Sequence, residues 1–429
     1  MAVVKIGLVG TGTVGGGCLD ILVNHKEDFK RHFGIELELV RVCSRNPEQA
    51  IAHGVEDIFT TDYKDVVNDP EVEVVIELIG GTGIAKQVIL DALHAGKHVV
   101  TANKAVMASS GEEVLGLAKE KNLEVAFEAS VGGGIPIIQP LKHALIANEI
   151  SNIMGIVNGT TNYMLTRMEQ DGLSYDEALK EAQEKGFAEA DPTADVDGLD
   201  AAAKIAILAS IAFNSRVVMD DVYTEGIRRI SPVDLAMARD MGYAVKLVAH
   251  AHRGEKGIGV RVHPTMIPLD HQLATVNGVY NAIYVVGDAV GETMFFGEGA
   301  GAGPAASAVM GDVLEVARHV AMGIKPIVGC TCTDSIPIDE MEDLETKYYL
   351  RFVVADRSGV LAATADIFAK YDVSVQSVTQ RGTKARHEVD LVFLTHTAEE
   401  RSMRKVIEEV LALDGVSSSS APSIIRVED

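Results

Sequence analysis

The stretch that decides the fold is Val4-Lys5-Ile6-Gly7-Leu8-Val9-Gly10-Thr11-Gly12-Thr13-Val14-Gly15, close to the start of the chain. An apolar run with the character of a β-strand enters a turn of the form G-x-G-x-x-G, and a helical pattern follows. In such a unit Gly10 permits the tight turn, Gly12 lets a pyrophosphate approach the backbone, and Gly15 allows the helix to pack closely on the strand. The helix N-terminus would offer its free N–H groups to the phosphates, with Thr11, Thr13 and Val14 beside them. The stretch therefore predicts a dinucleotide-binding unit, the alternative being an ordinary glycine-rich turn.

Strand and helix patterns alternate through the first third of the chain, as a parallel doubly wound sheet requires. Strands are predicted at residues 4–9, 36–42, 72–78, 98–101 and 123–127. A helix is predicted near 111–121, before the last of these strands. We assign residues 1–135 to a Rossmann-type dinucleotide-binding domain. A second glycine-rich turn precedes residues 303–325, which we expect to form a helix that packs back on this domain.

Two further units are expected. Residues 136–302 contain several helical and three strand patterns, which is typical of an α+β domain that binds substrate and pairs with another subunit. Residues 330–346 are rich in Thr, Asp, Pro and Glu, and we interpret them as a linker. Residues 347–429 follow the order β-α-β-β-α-β of a ferredoxin-like unit. The predicted fold class is thus α/β, with a doubly wound parallel sheet, an α+β domain and a small C-terminal domain.

Composition and charge limit the function classes. The 429 residues are 47% hydrophobic, and 38 basic against 62 acidic side chains give a net charge of −24. Such a charge repels nucleic acid and anionic membrane, so we expect neither as a partner, and we expect a cytoplasmic protein. The four cysteines show neither a disulfide framework nor the spacing of a zinc site. Cys330 and Cys332 are interpreted as plain thiols, too close together for a relaxed disulfide within the pair.

Two positions at predicted strand ends point to cofactor and substrate. In this fold an acid after strand two binds the ribose 2′-OH of NAD, whereas an Arg accommodates the 2′-phosphate of NADP. The segment Val42-Cys43-Ser44-Arg45-Asn46 has Arg45 and no acid, so NADP is preferred and NAD is left open. Strand four ends at Thr101, and Lys104 follows where ligands of open α/β sheets bind. The alternative for either residue is a solvated surface charge.

The densest polar cluster runs from Gly186 to Asp200 and is followed by Lys204. Asp200 and Lys204 are four residues apart, so they share one face of a helix whose other residues are apolar. A buried lysine beside carboxylates must be paired and stays protonated, which makes it a usable proton donor. The alternative is an acidic surface loop whose charge pair only caps a helix.

Two motifs in the middle of the chain resemble those of a known family. One runs from Ala182 to Lys204, with Gly186-Phe187-Ala188-Glu189-Ala190-Asp191-Pro192, Asp195-Val196, Gly198 and Asp200 in place. The other is Asn158-Gly159-Thr160-Thr161-Asn162-Tyr163. Together they resemble the homoserine dehydrogenase family, and the similarity covers nearly the whole chain. The tail from about Tyr348 resembles an ACT domain, and no aspartokinase portion is present, which favours the monofunctional form.

The resemblance implies an activity and a set of site residues. The activity is the reversible NAD(P)-linked reduction of L-aspartate 4-semialdehyde to L-homoserine, in threonine and methionine synthesis. By the same resemblance Lys204 donates the proton, and Lys104 contacts cofactor and substrate. The residues implied in substrate binding are Glu189, Asp195 and Asp200, and those implied against the cofactor are Gly186 and Gly301.

The resemblance also implies a metal ion, an effector and an assembly. The glycine-rich segment Glu128–Ile135, which from the residues alone we interpret as a hinge, becomes the family's sodium site. Its implied ligands are Glu128 and the carbonyls of Val131, Gly133 and Ile135. L-Threonine is the expected ACT effector, and a homo-oligomer, dimer or tetramer, is expected. The alternatives are another two-domain Rossmann reductase, or a sensor that binds nucleotide and amino acid without turnover.

Overall fold

The computed structural model of the chain describes residues 2–326, 329–382, 388–417 and 421–428. The chain divides into two compact units, each built from three separate stretches. The first unit comprises Met1–Ile153, Ala203–Asp221 and Tyr280–Ile336, and the second comprises Met154–Ala202, Val222–Val279 and Pro337–Asp429. The units interleave along the sequence, and the domain bounds at 135, 302, 330 and 346 stay predictions.

The first unit contains a six-stranded parallel sheet in the order β3-β2-β1-β4-β5-β6. Its strands and helices are β1 Ala2–Val9, α1 Thr13–Phe33, β2 Ile35–Cys43, α2 Glu48–Ala52, β3 Phe59–Thr60, α3 Tyr63–Val67, β4 Val74–Glu77, α4 Ile84–His94, β5 His98–Thr101, α5 Lys104–Lys121 and β6 Val125–Ala126. This order is that of the doubly wound dinucleotide-binding fold, which confirms the predicted fold class.

The predicted elements of this unit are confirmed in kind, with shifted ends. Strand β5 has the predicted bounds, whereas α5 begins at Lys104 instead of near Gly111. It begins earlier because Asn103 caps it, its side chain accepting a hydrogen bond from the Val106 N–H at 3.1 Å. Lys104, expected in the loop after β5, is therefore the first residue of a helix.

The elements between residues 150 and 322 are shared by the two units. They are β7 Ile150–Ile156, α6 Gly159–Asp171, α7 Tyr175–Glu184, α8 Thr193–Val196, α9 Leu199–Ala212, β8 Tyr223–Thr224, α10 Pro232–Asp240, β9 Tyr243–Arg253, β10 Ile258–Pro268, β11 Tyr280–Gly287, β12 Gly291–Glu298 and α11 Ala302–Met322. Strands β9 and β10 form an antiparallel hairpin in the second unit, and β11 and β12 form one in the first. Among the described residues, no helix combines the length and apolar character needed to span a membrane.

Helix α11 packs in the first unit against α1 and the parallel sheet. Its apolar residues Ala306, Val309, Met310 and Val313 share a core with the side chains of β1, β2 and β4. A Cβ atom on Gly17 of α1 would lie 2.6 Å from the Ala302 carbonyl oxygen, so only glycine permits this approach of the two helices.

The C-terminal part of the second unit is ferredoxin-like. Its elements are β13 Glu345–Ala355, α12 Val360–Lys370, β14 Val375–Gly382, β15 Glu388–Thr395, β16 Ala398–Glu399, α13 Glu400–Leu411 and β17 Ser423–Val427. Strands β17-β13-β15-β14 lie in this order and pair antiparallel, as predicted. Strand β17 also pairs parallel with β10, Thr265 opposite Arg426, so this sheet continues into the β9–β10 hairpin of the same unit.

A buried ion pair joins the ferredoxin-like part to α10. The carboxylate of Asp234, fully buried, accepts hydrogen bonds from the Arg351 guanidinium at 2.6 and 3.1 Å and from the Tyr349 hydroxyl at 3.0 Å. Asp234 also completes the capping box of α10 with Ser231. Because charge buried in this way is tolerated only when it is paired, strand β13 and the start of α10 depend on one another.

We expect Arg351→Ala to lower the free energy of unfolding by about 3–5 kcal/mol, because the Asp234 charge would be left buried without its partner. A matched control is Arg381→Ala, which removes an ion pair to Asp240 of the same helix with both side chains more than half exposed. Arg381→Ala should lower the free energy of unfolding by less than about 1 kcal/mol. Urea titration of the full chain measures both variants, and equal losses would contradict the account.

Candidate active site

The dinucleotide turn lies in the first unit and has the geometry that the glycine pattern predicts. Gly10 has a φ of +104° and donates its N–H to the Cys43 carbonyl at 2.8 Å, which joins the turn to the end of β2. A Cβ atom on Gly10 would lie 2.6 Å from the Leu78 carbonyl oxygen, and one on Gly15 would overlap the Gly10 carbonyl. Both positions therefore exclude any larger residue.

Gly12 leaves space where a pyrophosphate would approach. It is the N-cap of α1 without a side-chain cap, and no heavy atom of the described residues lies within 4 Å of its hypothetical Cβ. Thr13 is exposed beside it, whereas Thr11 is buried and Val14 packs on the core of the unit. The uncapped helix start, open at Gly12, fits the phosphates of a dinucleotide.

Three polar residues, Arg45, Glu77 and Lys104, lie at or just after the ends of β2, β4 and β5. Arg45 is exposed two residues beyond the last residue of β2, and Lys104 is half-buried at the start of α5. The buried carboxylate of Glu77, the last residue of β4, accepts hydrogen bonds from the Thr101 hydroxyl at 2.6 Å and the Ile79 N–H at 2.7 Å. Sequence reasoning missed Glu77, although an acid that ends an apolar strand is a usable signal.

One amide in the second unit holds two of the predicted substrate residues. The Nδ2 of Asn158 donates hydrogen bonds to Asp195 at 2.7 Å and to Asp200 at 2.9 Å. Its Oδ1 accepts from the Thr161 N–H at 2.9 Å, which caps α6 and fixes the orientation of the amide. Asn158 thus brings Asp195 and Asp200 together, a role that the sequence analysis did not predict for it. The signal was available, since an Asn directly before a helical stretch is a favoured N-cap.

The segment with Gly186 and Glu189 is tied to the same helix start. The hydroxyl of Thr160, two residues after Asn158, donates to the Phe187 carbonyl at 2.6 Å. Gly186 has a φ of +75° after the end of α7, which favours glycine there. Glu189 is exposed, so its carboxylate is open to solvent at the edge of this group. The N-cap and first turn of α6 therefore contact both the segment of Gly186 to Glu189 and the carboxylates of Asp195 and Asp200.

Lys204 and Asp200 lie one turn apart on α9, as the spacing predicts. Lys204 is 7% exposed and Asp200 is 8% exposed, and the residues around them on the helix are buried and apolar. The division between the two units falls within this helix, after Ala202. A lysine that is buried on a rigid helix can hold a proton at a fixed point, which is what a proton donor requires.

In the predicted sodium loop, the side chain of the acid is bound by backbone amides. The carboxylate of Glu128 accepts hydrogen bonds from three backbone N–H groups, those of Ile137, Ile138 and Gln139, at 2.5, 2.9 and 2.6 Å. Burial raises the pKa of Glu128 against the opposing effect of these bonds. Main-chain carbonyls of this loop are further groups that suit a hard cation. Within the described residues, no group of three or more His, Cys, Asp or Glu side chains could hold a metal ion.

The segment Glu128–Ile135 lies against the second glycine-rich turn, in the first unit. The Gly134 N–H donates to the Glu298 carbonyl at 3.2 Å, and a Cβ atom on Gly133 would lie 2.5 Å from the Gly299 carbonyl oxygen. Gly301, the predicted cofactor residue of this turn, is the N-cap of α11 with a φ of +125°. The structure thus brings the two glycine-rich segments together.

The ferredoxin-like part contains a cavity of its own. It has a volume of about 260 Å³ and is lined by residues 354–361 together with Gln380 and Leu391. These residues include the turn between β13 and α12, in which Gly359 has a φ of +98° at the N-cap of the helix. A helix N-terminus beside the carboxylate of Asp356 offers opposite charges to the two ends of a free amino acid.

Three family models match the chain in succession. The model for the homoserine dehydrogenase NAD binding domain matches residues 10–128, the model for homoserine dehydrogenase matches residues 136–314, and the ACT domain model matches residues 348–415. These ranges contain the dinucleotide turn, the Asn158 and Lys204 segments, and the cavity of the ferredoxin-like part.

Similar proteins extend over the full length. A homoserine dehydrogenase of Synechocystis sp. is 45% identical, with 99% of each chain covered, and one of Pseudomonas aeruginosa is 42% identical, with 100% of this chain and 99% of that protein covered. The crystal structure of a homoserine dehydrogenase from Thiobacillus denitrificans matches with a TM-score of 0.93 at 42% identity, covering 100% of this chain and 98% of the other. A hyperthermophilic archaeal homoserine dehydrogenase mutant in complex with NADPH matches with a TM-score of 0.63 at 28% identity, covering 73% and 97%. The chain therefore belongs to the homoserine dehydrogenase family, whose members are NAD(P)-dependent oxidoreductases, and it carries a C-terminal ACT domain.

Proposed function

We propose that Lys204 is the proton donor in the reversible reduction of L-aspartate 4-semialdehyde to L-homoserine, and that Asp195, Asp200 and Glu189 bind the polar end of the substrate. The observation that carries the proposal is the Asn158 amide bonded to both Asp195 and Asp200, with Lys204 one helical turn beyond Asp200. Two fixed carboxylates suit the ammonium group of an amino-acid substrate, and a buried cation nearby suits the oxygen that gains charge.

The chemistry divides between cofactor and protein. A nicotinamide cofactor, when bound, supplies the hydride that reduces the aldehyde carbon. The protein's residues hold the substrate, keep water from Lys204 and stabilise the negative charge that develops on the aldehyde oxygen. The Lys204 ammonium then donates its proton to that oxygen, which gives the hydroxyl group of the product. Lys104 is proposed to contact both ligands from the start of α5.

We propose NADP as the preferred cofactor. Arg45 follows β2 at the edge where the adenosine ribose binds in this fold, and no acid lies between Cys43 and Asn46 to bind a free 2′-hydroxyl. The related archaeal enzyme in complex with NADPH supports a nicotinamide cofactor of this kind. The open space at Gly12 and the contact of Gly17 with Ala302 support binding between the starts of α1 and α11, beside Gly301.

A sodium ion is proposed in the loop that begins at Glu128. Its ligands would be Glu128 and the main-chain carbonyls of Val131, Gly133 and Ile135. An ion there would stabilise the loop against the turn that leads to Gly301. A cytoplasmic location of the protein and its assembly as a homo-oligomer stay predictions.

We expect Lys204→Ala to lower turnover of L-aspartate 4-semialdehyde by a factor on the order of 10²–10⁴, because the oxygen that gains charge loses its proton donor. Binding of NADPH should survive, since the dinucleotide turn is untouched. Steady-state oxidation of NADPH measures turnover, and the fluorescence of bound NADPH measures cofactor binding. Lys180→Ala, which removes a lysine whose side chain is 78% exposed on α7, is the control and should leave turnover unchanged. Unaltered turnover in Lys204→Ala would remove Lys204 from the mechanism.

L-Threonine is proposed as a feedback inhibitor that binds in the cavity of the ACT domain. Asp356 would hold the ammonium group of the effector, and the N-terminus of α12 would hold its carboxylate. We expect Asp356→Ala to raise the threonine concentration for half-inhibition at least about tenfold, the loss of one charged hydrogen bond. Glu409→Ala, which removes an exposed ion pair to Lys370 in the same domain, should leave that concentration unchanged. Turnover that is indifferent to threonine in the wild-type chain would contradict the proposal and leave the enzyme assignment intact.

A further inference from the structure

A closed ring of hydrogen bonds lies at the carboxyl ends of β4 and β5, in the first unit. The carboxylate of Glu77 accepts one hydrogen bond from the Ile79 N–H at 2.7 Å and another from the Thr101 hydroxyl at 2.6 Å. The Thr101 hydroxyl oxygen accepts from the Asn103 N–H at 3.0 Å, and the Asn103 Nδ2 donates to the Gly81 carbonyl at 2.8 Å. The bonds thus lead from the loop after β4 to the end of β5 and back to the loop. We call Glu77, Thr101 and Asn103 the strand-end ring.

The strand-end ring is buried, and its bonds all run in a consistent direction. Glu77 and Thr101 are 0% exposed, and Asn103 is 5% exposed. Glu77 also accepts from the Gly80 N–H at 3.3 Å, so all three of its partners are donors, which is how an ionised carboxylate bonds. Hydrogen bonds to a charged group are stronger than those between neutral groups. The ring therefore holds the two segments that it joins firmly.

The first segment is the exposed loop of Ile79, Gly80 and Gly81 that follows β4. It begins against the dinucleotide turn, since a Cβ atom on Gly10 would lie 3.0 Å from the Ile79 nitrogen. Strand β4 pairs with β1 on the side opposite to β2. In this fold the strand order reverses there, and ligands bind beyond the carboxyl ends of these strands. Because the adenosine ribose binds at the end of β2, the loop after β4 lies on the side of the nicotinamide.

The second segment is the start of α5, which carries Lys104 as its first residue. The Asn103 Oδ1 accepts the Val106 N–H at 3.1 Å and caps this helix, so the NH₂ group of the amide is left for the Gly81 carbonyl. The Lys104 N–H donates to the Ala102 carbonyl at 3.1 Å, which fixes the backbone of Lys104 beside the end of β5. The side chain of Asn103 therefore sets the place of Lys104 relative to the loop.

We propose that Glu77, Thr101 and Asn103 are positioning residues for hydride transfer, which hold Lys104 and the loop after β4 in fixed relative positions at the nicotinamide end of the cofactor. They act through these two segments, because their own side chains are buried. The proposal rests on the proposed contact of Lys104 with cofactor and substrate. Transfer between two bound molecules requires them to be held in near-attack geometry, which a flexible loop and a frayed helix start would not maintain. The ring supplies that rigidity.

The first test compares Thr101→Val with Thr101→Ser. Valine suits a strand and is close to threonine in volume, but it removes the hydroxyl that joins Glu77 to Asn103. We expect Thr101→Val to lower kcat by a factor on the order of 10–100, since a misplacement of about 1 Å can lower a rate by about 10². Thr101→Ser keeps the hydroxyl and should retain most of the wild-type kcat. Equal values of kcat in the two variants would overturn the proposal.

The matched control is Glu73→Gln. Glu73 lies just before β4, at the opposite edge of the sheet, and its carboxylate also accepts from a backbone N–H, that of Lys5, at 2.9 Å. This variant should leave kcat unchanged. A loss as large as that in Thr101→Val would show a general effect on the sheet and would overturn the proposal.

The second test is amide hydrogen exchange of the full-length chain without cofactor, followed by mass spectrometry. In Thr101→Val, the fragments that cover residues 78–82 and 102–107 should both exchange faster than in the wild-type chain, because the ring that joins them is open. Exchange in the strands β1 and β2 should be unchanged, and Thr101→Ser should behave as the wild-type chain does. Faster exchange throughout the first unit, or in only one or neither of the two fragments, would overturn the proposal. This readout is independent of turnover.

The third test opens the ring at a different residue and combines that change with Lys104→Ala. In Asn103→Ser the hydroxyl keeps the cap of α5 but is too short to reach the Gly81 carbonyl as well. We expect Asn103→Ser to lower kcat in the wild-type chain and to have little further effect in Lys104→Ala, because residues that act as one unit are not additive. Losses that multiply would overturn this proposal and leave the role of Lys104 intact. Wild-type turnover in Lys104→Ala would overturn the role of Lys104, and this proposal with it.

Discussion

The amide of Asn158 is the constraint on which the proposed substrate site depends. One side chain caps α6 with its oxygen and binds the carboxylates of Asp195 and Asp200 with its nitrogen. The cap fixes the amide, since the oxygen must face the Thr161 N–H and only the NH₂ group remains for the acids. Two like charges near one another are unfavourable, and a shared donor offsets part of that repulsion. The acids are thereby fixed before a substrate ammonium arrives.

Satisfied buried polar groups fix other parts of the molecule in the same way. The Glu77 carboxylate joins the ends of β4 and β5 through the Thr101 hydroxyl, and the Glu128 carboxylate accepts hydrogen bonds from three backbone N–H groups of residues 137–139. The Asp234 carboxylate of α10 likewise accepts hydrogen bonds from Arg351 and Tyr349 of β13. A buried carboxylate that receives several donors ties together segments that are distant in sequence, and its loss leaves donors unpaired.

Much of the fold follows from local pattern. Strand β5 and the doubly wound parallel sheet were predictable because apolar strands alternate with helices in this part of the chain. The ferredoxin-like part was predictable from the same kind of periodicity. Strands β7 and β12 were not predicted. Strand β12 contains Gly291 and Gly297, and all its residues are exposed or half-buried, so it is defined by its pairing with β11. The interleaving of the two units was equally inaccessible, since it depends on contacts between distant stretches.

The proposed site was predictable only where its residues are close in sequence. The spacing of Asp200 and Lys204 placed them on one helical face, because helix geometry is local. The role of Asn158 was not predictable, since nothing in the sequence says which distant carboxylates an N-cap amide will meet. That the Glu128 carboxylate accepts hydrogen bonds from three backbone amides was not predictable either, because the donors lie nine to eleven residues further along the chain.

The measurement that tests the central claim most directly is the kinetics of Asn158→Ser. Serine keeps the cap of α6, so the fold should persist, but its hydroxyl is too short to serve both carboxylates. The account predicts an unchanged KM for NADPH, an unfolding midpoint close to that of the wild-type chain, and a KM for L-aspartate 4-semialdehyde raised roughly 10- to 100-fold, the worth of a hydrogen bond to a charged group. A variant that folds and binds the semialdehyde as the wild-type chain does would contradict it.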